Sequence, residues 1–155
     1  MAQLPFTTIG ESRELAEDVR ALFEELAGAL SHEQRAYSGE SHPLLDVYET
    51  ETAIEILMDV SGVPSEAIRI LYREGVVVIV GEKAPAQTSS AHTFHLVERE
   101  FGRFARAVRV NGAFDVHRAR ATLRDGELTV ELPKMADRRG QAHRIQVNEA
   151  KDRTA

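Results

Sequence analysis

Residues 119–133 read Ala-Arg-Ala-Thr-Leu-Arg-Asp-Gly-Glu-Leu-Thr-Val-Glu-Leu-Pro. Two short runs, 119–123 and 128–132, flank Asp125-Gly126, a pair suited to the tight turn of a β-hairpin. Pro133 stops the second run, because proline has no backbone N–H to give a ladder.

The same pattern extends toward the N-terminus. Residues 68–72 and 76–80 flank Glu74-Gly75, a second hairpin signal. The run 76–80 is apolar on both faces, which predicts a central strand. In residues 53–60, Ile54, Ile56 and Met58 share one face and Glu55 and Asp59 the other, a period of two. Residues 104–110 alternate again, with Phe104, Arg106, Val108 and Val110 on one side. Leu45-Asp46-Val47-Tyr48-Glu49 opens the series, and residues 93–97 are short and β-leaning. Turns fall at 61–64 and at Asn111-Gly112, and a long polar connection spans 81–92. Seven or eight short strands without intervening helices predict an all-β fold, an immunoglobulin-like antiparallel sandwich, over residues 43–134.

The flanks differ. In residues 12–30, Leu15, Val19, Leu22, Phe23, Leu26 and Leu30 form one stripe of a 3.6-residue period. Residues 1–42 therefore read as a helical arm, weakened at Gly28, whose stripe must pack on the chain, on another copy or on a client. Residues 135–155 are a polar extension, expected to be flexible, with one β-branched island at Ile145-Gln146-Val147.

Charge follows the same division. The arm carries −5, the middle −3 and the extension +2, for a net −6 over 155 residues. A negative balance argues against phosphate-backbone binding, so no nucleic-acid partner is expected. The absence of cysteine removes disulfides, thiolate metal sites and cysteine nucleophiles. No run approaches the about 20 apolar residues of a membrane span, and no leader pattern opens the chain, so integral membrane association is not expected and a cytoplasmic location is. Neither a phosphate loop nor a Gly-x-Ser-x-Gly elbow occurs. His92 and His95 read as surface residues rather than metal ligands, and no cofactor, metal or catalytic role is expected.

In residues 43–147 the sequence resembles the small heat-shock proteins, built on the α-crystallin domain. Leu45-Asp46-Val47-Tyr48-Glu49 matches the family's opening strand. Asp59-Val60-Ser61-Gly62-Val63 followed by Ile68 matches its acidic-aliphatic-Pro-Gly-Val turn, with Ser61 in place of proline. Val78-Ile79-Val80-Gly81-Glu82-Lys83 matches the strand ending in Gly-Glu-Arg, and Glu98-Arg99-Glu100-Phe101-Gly102-Arg103-Phe104 the Glu-Arg-x-x-Gly-x-Phe signature. Ala121 through Leu128 matches Ala-x-x-x-x-Gly-x-Leu, Pro133-Lys134 closes the domain, and Ile145-Gln146-Val147 is similar to the C-terminal Ile-x-Ile/Val anchor. Asn111 also stands where the family commonly has proline, so both turns are expected to be looser than usual.

The resemblance implies an ATP-independent holdase that binds partly unfolded proteins, works as a bacterial-type oligomer of strand-swapped dimers and performs no catalysis. Client contact is expected from Phe6, Ile9, Leu15, Val19, Leu22, Phe23 and Leu26, with packing inside the oligomer as the alternative. Ile145 and Val147 would anchor the tail in a neighbour's groove formed by Ile68, Ile70, Ala119, Ala121 and Leu123. Burying that pair gains about 1.5–3 kcal/mol per side chain, against at least about 4 kcal/mol lost on association. One tail is then nearly neutral, and many tails acting together hold an assembly that still exchanges subunits.

The resemblance also places a strand from the long connection, Thr93, Phe94, His95, Leu96 and Val97, against Leu45 and Val47 of a partner copy. The alternative is an ordinary surface loop. Glu98 and Arg99 become candidates for ion pairs between subunits, against the reading of a solvated charge run. Arg106 shares a face with Phe104 and Val108 and is expected to be partly buried beside a carboxylate. It matches the family's structurally sensitive arginine, which lies at the dimer interface in animal members. A co-chaperone-type sandwich that binds a partner chaperone is the competing reading, and it lacks the long connection and the tail anchor.

Overall fold

A computed structural model describes residues 9–30, 39–85 and 91–136. One helix, α1 (Ile9–Ala29), precedes seven strands: β1 (Leu45–Glu49), β2 (Ala53–Asp59), β3 (Ile68–Arg73), β4 (Val76–Lys83), β5 (Gly102–Arg109), β6 (Arg120–Arg124) and β7 (Glu127–Pro133). They form two antiparallel sheets, β1-β2-β7-β6 and β3-β4-β5. The sandwich is the one the alternation predicts. Residues 93–97 are not a strand within the chain: a β-leaning segment gains regular structure only where an edge supplies its hydrogen bonds.

Both two-residue hairpins have positive φ at each central position, Glu74 (48°) with Gly75 (80°) and Asp125 (50°) with Gly126 (80°). This twist matches that of the paired strands, and glycine takes the second position without a Cβ clash. The turn with Ser61 is closed, with Val63 N–H donating to the Val60 carbonyl at 3.0 Å. Replacing proline there has left the turn intact.

The inner faces bury Ile54, Ile56, Met58, Ile79, Val77, Phe104, Leu128, Val130 and Leu132 between the sheets. Burial along β7 alternates residue by residue. β4 does not alternate: residues 77–82 are all buried. Val77 and Ile79 enter the core between the sheets, whereas Val78 and Val80 cluster with Leu22 of α1. Thus β4 is central in its sheet, as its doubly apolar run predicts, and the helix is what covers its outer face.

Segment 39–43 closes one side of the sandwich. Arg103 N–H donates to the Gly39 carbonyl at 3.0 Å and Ser41 N–H to the Arg103 carbonyl at 2.9 Å, so the segment runs along the start of β5 before entering β1. On the other side, β3 and β6 are edge strands of opposite sheets.

Candidate assembly and client-binding surfaces

Four surfaces hold the residues the sequence singles out. The first is α1. Leu15, Val19, Leu22 and Phe23 pack against Leu71, Val76, Val78 and Val80 on the outer face of the three-stranded sheet, and Leu26 and Leu30 continue into the main core. Leu26 is only 1% exposed. Of the three partners the stripe admits, the single chain supplies the first: the strip of Leu71, Val76, Val78 and Val80 beneath it accepts it. Two ion pairs border the contact, Asp18–Arg73 at 3.1 Å and Glu25–Arg69 at 3.0 Å. Arg103 also lies over the Phe23 ring, 5.2 Å from its centroid. Phe6 lies outside the described residues, and so does the side chain of Ile9.

The second surface lies between β3 and β6. Ile70, Tyr72, Ala119 and Leu123 are half-buried and pack on the core, Ala121 is exposed, and Ile68 is buried. Ile68 therefore belongs to the core more than to a groove wall. Tyr72 and Phe114 meet edge to face with centroids 6.5 Å apart. Neither aromatic was among the expected groove residues, although Tyr72 follows Ile70 by two and so shares its face. Ile145 and Val147 lie outside the described residues.

The third surface combines the β1 edge with segment 91–100. Leu45 is half-buried, Val47 is 45% exposed, and β1 pairs with β2 alone among the described strands. Thr93, Phe94, His95, Leu96, Val97, Glu98 and Arg99 are all exposed, with Phe94, Leu96 and Val97 between 63% and 73%. Three large apolar side chains open to solvent within four residues are an association signal. No ladder joins this segment to β1 within the chain. Arg99 lies over the Phe101 ring, 5.1 Å from its centroid. On the outer face of this sheet, the Tyr48 hydroxyl donates to the Glu55 carboxylate. That hydrogen bond raises the Tyr48 pKa above its ordinary value, with smaller contributions from desolvation and from the charges of Glu55, Glu127 and Glu131.

Arg106 is half-buried, as its strand face predicts, but its partner differs from the expected carboxylate. Its guanidinium donates to the Pro43 carbonyl and so fastens the segment entering β1 across β5. The buried carboxylate of the same strand pair is Glu82, 3.9 Å from Arg103. His92 and His95 are exposed, and among the described residues no three His, Cys, Asp or Glu side chains converge as metal ligands. No described helix is long and apolar enough to cross a membrane.

The model of the Hsp20/alpha crystallin family matches residues 46–148. Heat shock protein 16 of Schizosaccharomyces pombe is 31% identical over 99 residues, which cover 63% of this chain and 69% of that protein. The 22.0 kDa heat shock protein of Arabidopsis thaliana is 28% identical over 102 residues, covering 65% of this chain and 52% of that one. The chain thus spans between about half and two-thirds of the length of these relatives. Among solved structures, a small heat-shock protein from Xylella fastidiosa superposes with a TM-score of 0.62 at 26% identity, covering 70% of this chain and 98% of that one.

Proposed function

The chain belongs to the Hsp20/alpha crystallin family, and from that premise we propose that it is an ATP-independent holdase that binds partly unfolded proteins and keeps them from aggregating. The observation that carries this reading is the amphipathic stripe of α1, apolar enough to bind exposed chain and bordered by acids that keep it soluble. A protein that binds unfolded chains in preference to native ones lowers the free concentration available to aggregate. The family is one of stress chaperones, and the role needs no catalytic group.

The proposed organisation has three parts: an arm at 1–42, the α-crystallin domain at 43–134 and an anchoring extension at 135–155. In the proposed dimer, residues 93–97 add as a strand to the β1 edge of a second copy. The exposed Phe94, Leu96 and Val97 and the unladdered edge support this. Edge addition rests on main-chain hydrogen bonds and tolerates varied side chains. In the proposed oligomer, Ile145 and Val147 of one copy enter the β3–β6 groove of another. The half-buried Ile70, Tyr72, Ala119 and Leu123 support that docking. Light scattering from a heat-labile client, without nucleotide, tests the holdase activity, and sedimentation of the same sample tests the assembly.

A further inference from the structure

The outer face of the three-stranded sheet carries an apolar strip, Leu71, Val76, Val78 and Val80, flanked by Arg69, Arg73 and Arg103, and what covers the strip is a helix with charged fastenings. Burial deepens along that helix: Leu15 and Val19 are half-buried, Leu22 is 9% exposed, Leu26 1% and Leu30 4%. The C-terminal end is rooted in the main core and the N-terminal half only rests on the sheet. The two ion pairs run antiparallel, with Asp18 on Arg73 and Glu25 on Arg69. Seven helical residues rise about 10 Å and four strand residues about 13 Å, so the two rows of charge stay nearly in register. The Asp18 side chain is only 14% exposed while that of Arg73 is 53% exposed. A carboxylate this far from water depends on its cation to remain there.

We propose that α1 is a hinged strap, rooted at Leu26 and Leu30 and latched by Asp18–Arg73, that masks a docking surface made of Leu71, Val76, Val78 and Val80. The inference rests on the holdase reading above and adds both a second client-facing surface and the contact that controls it. The occupant that replaces α1 is an apolar segment bordered by acidic residues. The rim of Arg69, Arg73 and Arg103 complements that chemistry, and α1 itself presents it. Opening exposes the helix stripe and the sheet face together, so one local motion unmasks two apolar surfaces without unfolding the sandwich.

The absence of native cysteine makes the test direct. Val78→Cys places a single thiol under the strap, and Val77→Cys places one on the opposite face of the same strand as a control. Adding Asp18→Arg should speed alkylation of Val78→Cys about tenfold by turning an ion pair into a repulsion, with Val77→Cys unchanged. Further addition of Arg73→Asp should return the rate to its original value. A fluorescent peptide of residues 9–30 should bind the full-length Asp18→Arg chain more tightly than the unaltered one, and binding should fall on Arg69→Asp. Equal rates with and without Asp18→Arg, or acceleration of both thiols together, overturns the strap. A peptide that binds neither chain overturns the docking surface. A chain that suppresses aggregation of no client overturns the holdase reading instead, and the alkylation rates still decide the strap.

Discussion

Gly102 approaches Gly39 so closely that a Cβ on Gly102 would stand 1.8 Å from the Gly39 carbonyl oxygen. Gly102 also has φ of 111°, a conformation closed to ordinary side chains. It is the glycine of the Glu-Arg-x-x-Gly-x-Phe signature, and the contact gives that position a physical reason: the backbone of 39–41 pairs there with β5. Gly102→Ala should destabilise the domain by roughly 2–4 kcal/mol through strain and a backbone clash. A thermal midpoint lowered by about 10 °C or more in a melt followed by circular dichroism is the expected result, and an unchanged midpoint would contradict the packing.

Tyr48 and Glu55 supply a pH-dependent prediction. The hydrogen bond raises the folded-state pKa of Tyr48 above the unfolded value. Stability from this contact is full below about pH 10, the unfolded value, and is lost as pH rises through the folded value, because the unfolded state then releases its proton first. Difference titration at the phenolate absorbance band, comparing the chain with Tyr48→Phe, should show Tyr48 ionising later than a free tyrosine. Glu55→Ala should bring it back toward the ordinary value.

How far the sequence made this fold legible varies by element. β4 could be recognised as central because both its faces are apolar, yet nothing local says that a helix covers the outer one. The match between Leu22 and Val78 spans more than fifty residues of chain and shows only once both elements are folded. Periodicity placed Arg106 on the core side of β5, but its Pro43 carbonyl partner depends on how segment 39–43 crosses the strand. Residues 93–97 had the composition of a strand and lack a ladder within the chain, because strand structure needs a neighbour as well as a propensity. Between β3 and β6, the half-burial of Ile70 and Leu123 follows from alternation, whereas Phe114 lies in a connection with no period to mark it.

The exposed segment gives a prediction about the dimer. Phe94→Asp with Leu96→Asp places two charges where the proposed strand addition needs apolar contact, and should convert the proposed dimer to monomer. Because both side chains are exposed in the single chain, the melting midpoint of the sandwich itself should move little. Sedimentation velocity checks the first expectation and circular dichroism the second. A dimer that persists would contradict the swap.

The tail gives a prediction about the larger assembly. Ile145→Ala with Val147→Ala removes the large apolar side chains of the proposed tail anchor and should leave dimers or small species on size exclusion. An unchanged elution volume would contradict the anchoring role. Ile70→Asp, on the receiving side, should produce the same shrinkage if the groove is the partner surface.

Light scattering from a heat-labile client held with this chain, in the absence of ATP, measures the proposed holdase activity most directly. Substoichiometric to equimolar chain is expected to suppress the rise in scattering, and Asp18→Arg to lower the temperature at which protection begins. Scattering that follows the client-alone curve at every temperature and ratio would contradict the holdase reading.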